Sequence, residues 1–170
     1  FYDDVVFAYE NGLFSGTTAT TFSPYASMTR AMLVTVLYRA AGEPTVAGIT
    51  NKFTDNKQGK YYYNAVLWAS SLGIVNGATA TTFDPDGNIT REQIAAILYR
   101  YAGSPTATGS LSGYADQTQV SSFAVTAMQW AVGSGIITGT PNGGKTYLTA
   151  KGNATRAQVA VMLHRFLTFD

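Results

Sequence analysis

The dipeptide Thr-Arg occurs three times, as Thr29-Arg30, Thr90-Arg91 and Thr155-Arg156, and each occurrence opens the same kind of segment. Apolar residues follow at the i, i+3, i+4, i+7 spacing of one helix face: Leu33, Val36, Leu37 and Ala40, then Ile94, Ile97, Leu98 and Tyr101, then Val159, Met162, Leu163 and Phe166. The arginines stand 61 and 65 residues apart, so the chain is an internal triplication. Repeats of this size favour one core shared among the copies over three independent ones.

The threonine has a ready structural use, since its hydroxyl caps free N–H groups of the first helical turn. Gln93 and Gln158 lie three residues on and complete a capping box, whereas the first copy has Met32 there and loses half of it. The arginine is less easily explained, because a cation at a helix N-terminus faces the positive end of the dipole, a loss of roughly 0.3–1 kcal/mol. Three copies accept that loss, which points to a ligand: unpaired N–H groups plus a guanidinium fork suit a carboxylate. On this reading, replacing Arg30, Arg91 or Arg156 costs affinity and little stability. The remaining arginines, Arg39, Arg100 and Arg165, each follow nine residues later, on the opposite side of the same helix and near its favourable C-terminal end. They read as structural.

An earlier helix is expected in each repeat, ending at Gly12, Gly73 and Gly135, with Phe7, Trp68 and Trp130 each five residues before the glycine. An aromatic at such spacing is more often core than ligand platform, although Trp68 and Trp130 also enter the set of candidate sugar contacts. Each terminating glycine opens a Gly-x-x-x-Gly segment whose second glycine, Gly16, Gly77 or Gly139, permits a close backbone approach. Loops with Phe22-Ser23-Pro24, Phe83-Asp84-Pro85 and Leu148-Thr149-Ala150 lead to the next Thr-Arg, the third being three residues longer. Ala41-Gly42-Glu43-Pro44 and Ala102-Gly103-Ser104-Pro105 are helix-stop linkers. The expected units are therefore residues 1–44, 45–106 and 107–170. Phe53-Thr54-Asp55 and Tyr114-Ala115-Asp116 begin the second and third; the first has no such opening, so the piece reads as cut from something longer, with its N-terminal groove incomplete or filled from elsewhere.

Composition closes off several functions. Eleven basic and ten acidic residues give a formal charge of +1 without a basic run, no footprint for nucleic acid or an anionic membrane. There is no cysteine, hence no disulfide or thiolate metal site, and no apolar run long enough to span a bilayer; neither a signal nor an anchor segment is recognisable in this piece. Asp84-x-Asp86-Gly87 is a poor calcium loop, because Thr82 and Gln93 fall where carboxylates are required. The single His164 occupies the position of Tyr38 and Tyr99 and has no nucleophile set around it, Glu92 is accounted for by the helix dipole, and no cofactor is expected.

Taken in order, an aromatic-x-Asp start, a helix ending in Gly-Ile-x-x-Gly, a Phe-x-Pro loop and a Thr-Arg-Ala-Glu type motif resemble the S-layer homology (SLH) domain family, over nearly the whole chain. The departures are Met32, Gln93 and Gln158 at the acidic position of that motif, and the third repeat's loop. The resemblance implies an all-α fold of three helix-loop-helix repeats in a pseudo-threefold, three-pronged assembly around a shared helical core. It also implies anchoring of a surface protein at the bacterial cell wall, outside the cell, by a non-catalytic module. The implied partner is secondary cell wall polymer, or another anionic wall glycan, held between repeats through a pyruvylated sugar. Carried over by position, Arg30, Arg91 and Arg156 contact the acidic sugar, with Ser15, Asn76, Thr138, Gly16, Gly77 and Gly139 as polar and backbone contacts. The alternative is a structural or self-assembly module that self-associates without binding glycan.

Overall fold

The computed structural model describes residues 1–18 and 20–169. It contains two α-helices per repeat: α1 (Tyr2–Glu10) and α2 (Arg30–Ala40), α3 (Tyr63–Ser71) and α4 (Arg91–Tyr101), α5 (Val125–Gly133) and α6 (Arg156–Leu167). Thr29, Thr90 and Thr155 cap α2, α4 and α6, each accepting from the N–H three residues on. Gln93 and Gln158 complete their capping boxes, and Met32 cannot. The chain is predominantly helical, as the repeat pattern requires.

One strand pair departs from an all-helical chain. β1 (Thr140–Asn142) and β2 (Lys145–Tyr147) form a hairpin in the third repeat. Gly143 and Gly144, at φ 56° and 76°, fill its two-residue turn, which needs left-handed backbone at both positions. The three additional loop residues of this repeat are thus spent on an ordered hairpin whose signal, Asn142-Gly143-Gly144, is local and was open to reading.

The helices pair across repeat boundaries: α2 packs on α3, α4 on α5, and α6 returns to α1. An aromatic couple marks each pairing, Tyr38 with Trp68 and Tyr99 with Trp130 at 5.6 Å between ring centroids, and His164 stacked on Phe7 at 4.1 Å. Each second helix gives its apolar face mainly to the first helix of the following repeat, and the three meet at their N-terminal ends, so the expected shared core takes in both helices of each repeat. There Met28 N–H donates to the Ala154 carbonyl (2.9 Å), Ala154 N–H to Ile89 (3.0 Å) and Ile89 N–H to Met28 (2.9 Å). These residues are each two places ahead of a motif arginine and fully buried, so the polar ring they close is shielded from water. A single cluster of buried residues draws on all three repeats.

The opening segments of repeats two and three are pinned by carboxylates. Asp55 accepts from Phe83 N–H and Asp84 N–H (2.7 and 2.8 Å), and Asp116 from Leu148 N–H and Thr149 N–H (both 2.8 Å). Asp84 and Thr149 have positive φ, as does Ser23 at the equivalent place in repeat one. That turn aims successive N–H groups at one acceptor, the geometry of an anion nest.

Candidate functional site

Each motif arginine is the first residue of its helix, and its side chain crosses into the next repeat in the cycle. Arg30 Nε donates to the Phe83 carbonyl (2.9 Å) and its Nη2 to Asn76 (3.0 Å). Arg91 Nε donates to Leu148 (2.9 Å). Arg156 closes the circle, with Nε on Phe22 (2.8 Å) and Nη2 on Ser15 (2.7 Å). Arg30 also lies 4.9 Å from the Phe83 ring centroid and Arg156 4.7 Å from that of Phe22. All three are buried, at 9, 8 and 5 % exposure, and burial pulls each guanidinium below its ordinary pKa. Asp84 and Asp55 oppose that pull at Arg30, whereas Arg165 adds to it at Arg91.

Two sequence expectations change here. The helix N–H groups are not free: Arg30 and Ala31 donate to Gly87 and Pro85, Arg91 and Glu92 to Gly152 and Ala150, and Arg156 and Ala157 to Ala26 and Pro24. The next repeat's loop has already filled the anion site that a bare helix end would offer. The dipole argument also loses its force for stability, because the guanidinium is held by charge-assisted bonds to carbonyls that would otherwise be stranded in the interior. The motif arginines therefore knit the repeats together, whatever else they contact.

The later arginines, read from the sequence as structural, line the openings between repeats. Nine residues do put the two arginines of one helix on opposite sides, but closing the cycle brings the late arginine of one repeat opposite the motif arginine of the repeat before it. Three grooves result: Arg30 with Arg100, Arg91 with Arg165, and Arg156 with Arg39, each over the Gly-x-x-x-Gly segment of the later arginine's repeat. Ser15, Gly16, Asn76, Gly77, Thr138 and Gly139 all lie in these walls. The second glycines are required for the segment to fold: a Cβ on Gly16 would sit 2.7 Å from the Thr21 carbonyl, and one on Gly77 2.6 Å from the Phe53 ring.

The grooves are unequal, with cavity volumes of about 430 Å³ for Arg30/Arg100, 270 Å³ for Arg156/Arg39 and 160 Å³ for Arg91/Arg165. The largest also presents the Asn76 and Asn88 amides and the Asp84 carboxylate. Trp68 and Trp130 do not reach any of the three. They are 5 and 6 % exposed, wedged between Tyr38 and Tyr101 and between Tyr99 and Phe166, so the core reading of these aromatics holds and their inclusion among sugar contacts does not.

A family model for the S-layer homology domain matches residues 1–31, 52–95 and 113–160, one match for each repeat. The chain belongs to the S-layer homology domain family. An S-layer homology module is an anchor of surface proteins on the cell wall, so this one acts at the extracellular surface and not as an enzyme. Similar proteins include an endoglucanase of Bacillus sp. (strain KSM-635), 35 % identical across 94 % of this chain and 17 % of the relative. A surface-layer 125 kDa protein of Lysinibacillus sphaericus is 33 % identical across 91 % of this chain and 13 % of the relative. An amylopullulanase of Thermoanaerobacterium thermosulfurigenes is 30 % identical across 89 % of this chain and 8 % of the relative. The S-layer homology chain thus spans less than a fifth of the length of each of these relatives. Among the described residues no helix is long and apolar enough to cross a membrane.

Two features of the S-layer homology module escaped sequence reasoning. Glu92, attributed to the helix dipole, is buried and accepts from the N–H and the hydroxyl of Ser121 (2.9 and 2.7 Å), fixing the turn that enters α5. The groove role of Arg39, Arg100 and Arg165 was hidden because it joins different helices. Its one visible signal was that all six arginines of the chain occupy two repeat positions.

Proposed function

We propose that the module holds its cargo at the wall by binding an acidic glycan, secondary cell wall polymer bearing a pyruvylated N-acetylmannosamine, in the inter-repeat grooves. Arg30, Arg91 and Arg156 serve as the inner cations, and Ser15, Asn76 and Thr138 with the backbone of Gly16, Gly77 and Gly139 as polar contacts. The observation that supports this most is the convergence of two arginines from different repeats on every groove, in a chain whose net charge is only +1. Like charges brought together over polar backbone are relieved by an anion. Purified sacculi should retain the protein, and sacculi stripped of their secondary polymer should not; equal retention by both refutes a glycan reading.

A second reading has an observation of its own. The motif arginines already donate to carbonyls of neighbouring repeats, as a purely structural or self-assembling module would have them do. Concentration-dependent sedimentation without wall material, together with indifference to the polymer, would favour it.

A further inference from the structure

Repeat one leaves open a surface that repeats two and three keep covered. In repeat two the Phe53 ring lies on Gly77, where a Cβ would sit 2.6 Å from it, and tilts against Phe83 at 5.7 Å between ring centroids. Thr54 N–H donates to the Thr81 carbonyl (2.8 Å), and the Asp55 carboxylate accepts from Phe83 and Asp84 N–H. Repeat three builds the same arrangement from Tyr114 on Gly139, Ala115 N–H on the Thr146 carbonyl (2.9 Å) and Asp116 on Leu148 and Thr149. An aromatic residue and an aspartate two places on thus cover each repeat with one ring, one backbone donor and one carboxylate.

The receiving half of that arrangement is present in repeat one. Gly16, Thr20, Phe22 and Ser23 stand where Gly77, Thr81, Phe83 and Asp84 stand in repeat two. Ser23 has φ 54°, against 60° for Asp84, so the nest of two N–H groups is already shaped. Among the described residues, the Phe22 and Ser23 N–H groups and the Thr20 carbonyl have no partner. A cavity of about 520 Å³ opens beside them, lined also by Tyr2, Val5, Val6 and Tyr9. Val5 and Phe22 are only half-buried, whereas their equivalents Val66 and Met128, Phe83 and Leu148, are all within 1 % of full burial. The cavity shares only Gly16 with the groove of Arg156 and Arg39 and no residue with the other two, so it is a separate site.

A small anion would satisfy the two N–H groups and leave the apolar wall in water, while a purely apolar partner would cover the wall and strand the backbone groups. We propose that this slot is a peptide site, taking an extended segment from outside these 170 residues in which an aromatic residue is followed two places on by aspartate. The ring packs on Gly16 and Phe22, the N–H of the middle residue donates to Thr20, and the carboxylate accepts from Phe22 and Ser23. Main-chain bonding gives such a strand its purchase, and the ring and the carboxylate give it specificity. The Phe22 carbonyl is also the acceptor of Arg156 Nε (2.8 Å), so a peptide that fixes Phe22 steadies the junction where the last repeat meets the first. None of this depends on the glycan reading.

The test is titration of the 170-residue chain with a blocked synthetic peptide of the sequence Asn51–Lys57, followed by amide NMR and by melting. Binding should saturate with a Kd below roughly 1 mM, and the Phe22 and Ser23 amide protons should move downfield as they gain a charge-assisted bond. At ten times Kd the melting temperature should rise by about 3–6 °C. A peptide with asparagine in place of its aspartate should bind roughly tenfold or more weakly, and so should one with alanine in place of its phenylalanine. Absence of saturable binding, or binding that leaves the Phe22 and Ser23 amides unmoved, overturns the proposal and leaves the glycan reading untouched. Equal binding of the parent and both altered peptides would mark a non-specific association and overturn it too. A chain that sediments as a dimer by itself and is not dissociated by the peptide would assign the slot to a second copy, against the proposal.

Discussion

Arg156→Ala removes two hydrogen bonds that join the last repeat to the first, Nε to Phe22 at 2.8 Å and Nη2 to Ser15 at 2.7 Å, along with the guanidinium contact to the Phe22 ring. A hydrogen bond to a charged group contributes about 1.5–3 kcal/mol, and both acceptors are backbone carbonyls of the first repeat. Against that stand relief of the helix dipole, about 0.3–1 kcal/mol, and recovery of the desolvation that depresses the Arg156 pKa. The balance is a loss of about 3 kcal/mol, which for a domain of this size lowers the melting temperature by about 6–12 °C. Differential scanning calorimetry of Arg30→Ala, Arg91→Ala and Arg156→Ala tests the reasoning through its order. Arg30 and Arg156 each make two such bonds and Arg91 makes one, so Arg91→Ala should lose the least. If all three variants melt within about 2 °C of the parent, the arginines are not structural and the sequence-based expectation of a small effect was right after all.

Other outcomes follow from the same geometry. Gly77→Ala should destabilise by more than about 2 kcal/mol, because its Cβ meets the Thr79 and Thr82 carbonyls and the Phe53 ring, whereas Gly12→Ala faces open space and should cost about 1 kcal/mol for its positive φ alone; urea titration separates them. Burial works to raise the Asp55 pKa, yet the N–H groups of Phe83 and Asp84 outweigh it and hold the carboxyl below its ordinary 3.8. A depressed folded-state value means that the stability Asp55 contributes is present above about pH 4 and disappears as pH falls through the folded-state pKa, so Asp55→Asn should flatten the acid limb of a stability-versus-pH curve. Met32→Gln would complete the capping box of α2 and should raise the melting temperature by about 1–2 °C.

Helix starts were legible because Thr29, Thr90 and Thr155 announce themselves through short-range chemistry, and Gly12, Gly73 and Gly135 mark the stops in the same way. What the arginines do was not legible, since the partners of Arg30, Arg91 and Arg156 lie 46 to 141 residues away. A helix-dipole argument made from neighbours in sequence evaluates the cost of the cation and misses the carbonyls that offset it. The groove position of Arg100 was hidden for the same reason: its place on one helix was read correctly, but a groove belongs to two helices.

The circle of backbone bonds through Met28, Ile89 and Ala154 has a consequence for how such a module can change in evolution. An open solenoid lengthens or shortens by a unit, because each unit touches only its neighbours and the ends are spare. Here the last repeat hands its arginine and its helix face back to the first, so removing one repeat exposes two junctions, and inserting a fourth leaves no place for it to dock. The number three is a closure condition. A gene that duplicates one repeat should yield a misfolded chain, whereas one that duplicates the whole triplet should yield two complete anchors side by side.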